Sequence, residues 1–276
     1  MGLTLAIANQ KGGVGKTATA VNIGASLALD GFRVLLVDLD SQGSATSGLG
    51  EERTQGRSSY EVLIGEIPAD QAVRGTAIPG LSLIPGTRDL AGAEVELVSY
   101  PDRHRRLGDR LGEIASSFDY VLIDCPPSLG MLTLNALCAA DAVLVPLQCE
   151  FYALEGLGAL VDTLERVRSA FHPNLRILGI LLTMFDARTS LSRQVAREVR
   201  QHFGDKVLRA MVPRNVRISE SPSYGLPVVT YDPASSGALA YRHAAREIAE
   251  MTRPAAGSSG EGRSTNEEET DETAVG

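Results

Sequence analysis

Short continuous runs of Leu, Ile and Val alternate along the chain with longer stretches whose apolar residues recur every three or four positions. The continuous runs are Leu3–Asn9, Arg33–Asp38, Leu81–Pro85, Tyr120–Asp124, Ala142–Pro146 and Ile177–Thr183. A strand buried on both faces has no polar side to alternate with, so such runs read as strands of a parallel sheet. Between them, Lys16–Leu29, Arg105–Ser116, Leu129–Ala139, Ala153–Ala170 and Leu191–Phe203 have helical length or period. This alternation predicts one α/β domain, doubly wound, with a mostly parallel central sheet flanked by helices. The pattern stops near Met251, where Gly, Ser, Thr and Glu take over. Residues 1–252 are therefore expected to fold, and 253–276 to form a disordered acidic tail.

Composition narrows the classes. The 276 residues include 26 Lys and Arg against 34 Asp and Glu, a formal charge of −8. A hydrophobic share of 43% supports a sizeable core and excludes wholesale disorder. No apolar stretch reaches the roughly 18 residues of a membrane-spanning helix. The start, Met1-Gly2-Leu3-Thr4, lacks the basic segment of a secretory signal, so a cytoplasmic protein is expected. Cys125, Cys138 and Cys149 have no CxxC spacing and read as buried thiols. His104, His172, His202 and His243 form no metal pattern.

The acidic balance argues at first against nucleic acid. Resolved by region, the argument weakens. From Arg253 onward there are two basic and six acidic residues, so half of the −8 belongs to the tail. Lysine is scarce: the chain has only Lys11, Lys16 and Lys206, and two of them sit together near the N-terminus.

Those two lysines frame the candidate chemistry. The first apolar run leads into Gln10-Lys11-Gly12-Gly13-Val14-Gly15-Lys16-Thr17, and a helical pattern follows from Ala18. Glycines let backbone N–H groups converge on phosphate oxygens, and a helix N-terminus adds a favourable dipole. Lys16 supplies a compact charge for the β- and γ-phosphates, and the Thr17 hydroxyl is placed to ligate Mg²⁺. A planar guanidinium would not fit inside a tight loop of amides, which accounts for lysine here in an arginine-rich chain. Further on, Tyr120-Val121-Leu122-Ile123-Asp124 is an apolar strand ending in an acid, so Asp124 would hold Mg²⁺ through water, partnering Thr17. Two more acids, Asp38 and Asp40, close the second run, where an α/β crevice binds its ligand.

The loop departs from the usual GxxxxGK[ST] pattern: Gln10 stands at the leading glycine position and Lys11 is an added lysine. In this the chain resembles the deviant Walker A ATPases of the ParA/MinD family, members of the P-loop NTPases. The resemblance runs from Leu3 to about Met251. It implies ATP and Mg²⁺ as cofactors, with Gly12, Gly13, Val14, Gly15, Lys16, Thr17 and Ala18 cradling the nucleotide. It also implies that Lys11 reaches across an ATP-sandwich homodimer to the partner's phosphates, as an arginine finger does. By the same resemblance Asp40 orients the attacking water and Asp38 contacts the Mg²⁺ hydration shell; Ser41 stands where the family's DxDPQG motif has proline. Glu150 falls in a loop near the nucleotide and dimer face, and Met211, Pro213, Arg214 and Asn215 in the segment lining the adenine.

A cationic surface is concealed by the net charge. Residues 186–217 hold eight basic side chains against three acids. In Ser190–Phe203, Leu191, Val195 and Val199 form an apolar stripe, while Arg193, Arg197 and Arg200 recur on another face. ParA-type chains bind double-stranded DNA nonspecifically through basic residues here, in the ATP dimer, and Arg188 and Arg217 match that pattern best. Phosphate contact of this kind needs no base code. Two features refine the choice within the family. No helix-turn-helix precedes the first strand, which fits the short chromosomal, Soj-like ParA type. The acidic C-terminus is unlike the basic membrane helix of MinD-like relatives, so no membrane partner is expected. The expected function is ATP-driven chromosome partition, nucleoid-associated, with a ParB-like centromere-binding partner that stimulates hydrolysis and release. The alternative is a MinD-like division-site or cargo-positioning ATPase acting on a non-DNA surface.

Overall fold

The computed structural model describes residues 2–253; the tail expected beyond Arg253 lies outside them. Among the described residues, eight strands form one sheet: β1 (Leu3–Ile7), β2 (Val34–Asp38), β3 (Arg74–Gly75), β4 (Leu81–Ile84), β5 (Tyr120–Asp124), β6 (Ala142–Gln148), β7 (Arg176–Phe185) and β8 (Val207–Pro213). Their order is β3-β4-β2-β5-β1-β6-β7-β8, and every pairing is parallel except β3 with β4. This is the doubly wound, mostly parallel α/β sheet that the alternation of runs predicts.

Every residue of β2 and β5 is buried, which is why these runs show no polar alternation. Successive residues nevertheless point to opposite faces. Ala6, Leu35, Val121, Val143 and Ile180 belong to one core, shared with the helices Met131–Ala139, Ala153–Ala170 and Ser190–Phe203. Leu5, Leu36, Leu122, Leu144 and Leu181 belong to the other, shared with the helices Lys16–Leu29 and Ser236–Thr252. Each fully buried Leu, Ile or Val contributes about 1.5–3 kcal/mol, so the sheet is the rigid frame of the molecule.

The structure departs from the sequence expectation at several elements. β8 and the helix Ser236–Thr252 are additional. β8 is an edge strand interrupted by exposed Arg209, so its run is broken. The final helix buries alanines (Ala238, Ala240, Ala244, Ala245) with Tyr241 and Ile248 against Lys16–Leu29, a close helix contact that carries little hydrophobic signal. The expected Arg105–Ser116 helix is shorter, Arg106–Gly112, and gives way to a 3-10 turn at Ala115–Ser117. In Ser190–Phe203 the buried face is Ser192, Val195, Ala196 and Val199, whereas Leu191 is 42% exposed.

Candidate functional site

β1 lies between β5 and β6, and the loop that follows it opens at the C-terminal edge of the sheet. Asn9 pins its start: the side-chain amide donates to the Pro146 carbonyl (2.8 Å), and its oxygen accepts from the Lys11 amide (3.0 Å). Gly15 has φ 90°, a left-handed turn into a helix that begins at Lys16 with no side-chain cap. The first-turn amides of that helix are therefore left free of side-chain acceptors, which is the condition for binding an anion there. Lys16 is 7% exposed and its Nζ donates to the Lys11 carbonyl (3.0 Å). Burial lowers its pKa, and the nearby Asp124 is the main charge opposing that shift.

Gly12, Gly13, Gly15, Lys16, Thr17, Ala18 and Asp40 share one cavity of about 360 Å³. Val14 does not line it: the side chain is buried, and its carbonyl accepts from the Thr183 hydroxyl (2.8 Å), tying the loop to β7. Asp38 and Asp124 do not line the cavity but end β2 and β5 in register, close to Asp40 and Lys16, which do. The two carboxylates live differently. Asp38 accepts from the Thr46 amide (2.8 Å), the Thr46 hydroxyl (2.7 Å) and the Asp40 amide (3.2 Å). Even so, burial pushes its pKa up to about 6. Both oxygens of Asp124 are buried and neither makes a hydrogen bond of ordinary geometry, although the Thr17 hydroxyl lies near enough to favour the charged form. Burial, then the charge of Asp38, raises its pKa well above the carboxylate range, while Thr17 and Lys16 pull the other way.

A buried, unpartnered carboxylate is costly unless a cation meets it. Asp124 beside Thr17 therefore fits Mg²⁺, which commonly takes one or two protein oxygens and completes its shell with phosphate and water. Among the described residues there is no cluster of three His, Cys, Asp or Glu side chains that could hold a metal ion.

Lys11 stands away from this cavity. Its ammonium pairs with the Glu150 carboxylate of the same chain, in a separate shallow site with Asn9, Val14 and Tyr152. Met211, Pro213, Arg214 and Asn215 do not line the main cavity either. Its far wall is made instead by Ile218, Ser221, Pro222, Leu226 and Pro227, which the sequence reading did not select. Val21 and Asn22 were missed as well, although they follow Ala18 at helical spacing and so share its face. Nothing in the pattern of 218–227 marks those residues.

The AAA domain family matches residues 2–177. Over 252 residues the chain is 56% identical to the chromosome partitioning protein ParA of Caulobacter vibrioides, covering 90% of this chain and 94% of that one. It is 51% identical to the sporulation initiation inhibitor protein Soj of Bacillus subtilis, over 90% of this chain and 99% of that one. The chain belongs to the ParA/Soj family of chromosome-partitioning ATPases. It is also similar to a Mycobacterium smegmatis crystal structure named cobyrinic acid a,c-diamide synthase, solved with ADP and magnesium. That likeness has 42% identity and a TM-score of 0.78, covering 89% of this chain and 93% of that one.

In this ParA/Soj chain, Arg188 and Arg217 follow the ends of β7 and β8, while Arg193, Arg197 and Arg200 lie along the helix that connects those two strands. β7 and β8 are parallel, with Phe185 opposite Pro213, so the segments that follow them emerge together. Arg188 is 88% exposed and grips Asp186 with two hydrogen bonds (2.9 and 2.8 Å), which lowers the Asp186 pKa to about 2. Arg214 is close enough to Asp186 to add to that lowering, which places it with this cationic rim. Arg217 pairs with Glu220 (3.0 Å) and Asp232 (3.3 Å). Arg193, Arg197 and Arg200 are exposed along Ser190–Phe203, and Arg193 donates to the Ala187 carbonyl. Among the described residues, no helix is long and apolar enough to cross a membrane.

Proposed function

We propose that this ParA/Soj chain hydrolyses ATP with Mg²⁺, and that its ATP state is a sandwich homodimer that binds double-stranded DNA without sequence preference. A ParB-like centromere-binding partner would stimulate hydrolysis and release it. One observation supports the catalytic half: the buried Asp124 lies beside Lys16 and Thr17, which line the cavity that Asp40 shares with the loop glycines. Mg²⁺ held there by Thr17 and Asp124 would neutralise negative charge on the transferring phosphate.

The side chains divide the work. The loop amides of Gly12, Gly13 and Gly15 and the Lys16 ammonium bind and orient the phosphates. Thr17 and Asp124 hold the cation, and Asp38, anchored by Thr46, fixes the loop from which Asp40 orients water. Lys11 acts in trans on the partner's nucleotide. To do so it must leave Glu150, and a half-exposed ion pair is worth about 0–1 kcal/mol, a small cost against new phosphate contacts. Dimerisation doubles the arginine rim, and this makes DNA binding depend on the nucleotide.

The test is DNA binding by the full chain with ADP and with ATP, each with Mg²⁺, across a salt series. Binding confined to ATP that weakens steeply with salt is expected. Equal binding in both nucleotides, or none, overturns the DNA half of the reading. Binding to anionic vesicles instead would favour the MinD-like alternative. Asp40→Ala should bind ATP and stay on DNA; normal turnover by that variant removes Asp40 from its role.

A further inference from the structure

Two segments far apart in sequence meet at a pair of glycines. Gly50 and Gly225 both have left-handed backbone, with φ 74° and 65°. A Cβ on Gly225 would lie 2.6 Å from the Gly50 Cα, and one on Gly50 would lie 3.0 Å from the Gly225 carbonyl oxygen. Here backbone meets backbone, so no side chain can rotate aside to relieve a clash.

Each glycine ends a stiff path to a different site. On one side, Asp38 holds the Thr46 amide and hydroxyl, the Gly43 amide donates to the Asp40 carbonyl (2.8 Å), and the Gly50 amide donates to the Ser47 carbonyl (3.0 Å). The carboxylate-bearing loop after β2, including the cavity-lining Ser44 and Gly48, is thus one hydrogen-bonded body ending at Gly50. On the other side, the Gly225 amide donates to the Pro222 carbonyl (3.0 Å) and the Leu226 amide to the Ser221 carbonyl (3.3 Å). This second segment has two faces. Ile218, Ser221, Pro222, Leu226 and Pro227 face the cavity, while Arg217, just ahead of Ile218, faces the rim with Glu220 and Asp232.

We infer that Gly50 and Gly225 are positioning residues that lock the Asp38–Gly50 loop to the Val216–Leu226 segment, so that a nucleoside triphosphate in the cavity sets the placement of Arg217 toward DNA phosphates. The inference rests on the proposed function, since it connects the nucleotide and DNA sites named there. Allosteric coupling requires an element that both sites can bias, and the inference assigns that role to the shared backbone contact between the two segments. The small size of both residues follows directly: any side chain at either position would separate the two bodies.

Amide hydrogen exchange on the unmodified full chain tests the contact itself, with Mg²⁺ and either ADP or a non-hydrolysable ATP analogue. Amides of 44–51 and 216–226 are expected to change protection together on exchange of the nucleotide. A change in 44–51 with none in 216–226 overturns the coupling. Gly225→Ala tests its consequence. With nucleotide held at saturation, checked by binding of a fluorescent ATP analogue because both bodies line the cavity, the ratio of DNA affinity in ATP to that in ADP should fall by about tenfold, the scale of a typical coupling. Gly31→Ala is the control, because Gly31 is also left-handed (φ 95°) but would place its Cβ in open space. It should keep the ratio. A full ratio in Gly225→Ala overturns the inference. If the parent itself shows no ATP-over-ADP ratio, the proposed function fails instead, and the exchange measurement still decides the coupling. It also decides if Gly225→Ala does not fold.

Discussion

The nucleotide cavity and the arginine rim lie on the same edge of one sheet, yet they are built on opposite physical terms. The cavity is assembled from and around groups removed from water: Lys16 with a lowered pKa, Asp38 raised to about 6, and Asp124 raised well above the carboxylate range. The rim is assembled from exposed arginines, of which Arg188 and Arg217 pair with acids and Arg193 with a carbonyl that a phosphate could replace. Buried charges have few alternative partners, so their arrangement commits the site to one class of ligand. Exposed pairs are worth little and exchange readily, which suits a surface that must bind and release.

Lys16→Ala gives the largest effect on the cavity side. Nucleotide affinity measured by calorimetry should fall about 100-fold or more, the scale for losing a buried charge contact. Unchanged affinity would mean that the buried half of the comparison is not a nucleotide site. On the rim, Arg188→Glu or Arg217→Glu should weaken ATP-dependent DNA binding about 10- to 100-fold and flatten its salt dependence, with nucleotide affinity kept. DNA binding intact in both variants would place the surface elsewhere.

A stability measurement sharpens the contrast between the two regions. Folding raises the pKa of both Asp38 and Asp124, so above about pH 4 the folded chain holds protons that the unfolded chain has lost. Metal-free stability should therefore fall as pH rises from about 4 through about 6. Asp124→Asn should gain about 1–3 kcal/mol in urea unfolding with EDTA at neutral pH, and lose the stabilisation that Mg²⁺ with nucleotide gives the parent. A variant less stable than the parent without metal would mean that Asp124 is already compensated. The smallest expected effect belongs to Asp186→Asn. Freed of its carboxylate partner, Arg188 should raise DNA affinity about two- to threefold in fluorescence anisotropy, with stability changed by about 0.5 kcal/mol or less. Weaker DNA binding would show that Asp186 aims the arginine rather than occupying it.

The difference between the regions also governs what could be read in advance. The loop Lys11–Thr17, the strand ending at Asp124 and the pair Asp38 and Asp40 were legible because each sits at the end of a continuous apolar strand, and parallel chain order brings those ends to one edge. The arginines of Ser190–Phe203 were visible as a helix face, but their neighbours were not. The five residues of the far cavity wall, Ile218 to Pro227, carry no pattern, because they are placed by packing against the loop after β2. The neighbourhood of Arg214 was likewise not legible: its charge acts on Asp186, a contact between the ends of two separate strands.

Sequence alone determined the α/β class, the central strands and the phosphate loop, since hydrophobic period and glycine spacing act over a few neighbouring residues. Tertiary structure decided the rest. It paired Lys11 with Glu150, buried Asp124 without a hydrogen bond of ordinary geometry, and set Gly50 against Gly225. These are contacts between segments distant in the chain, and their energy depends on distances of a few tenths of an ångström that no local pattern encodes.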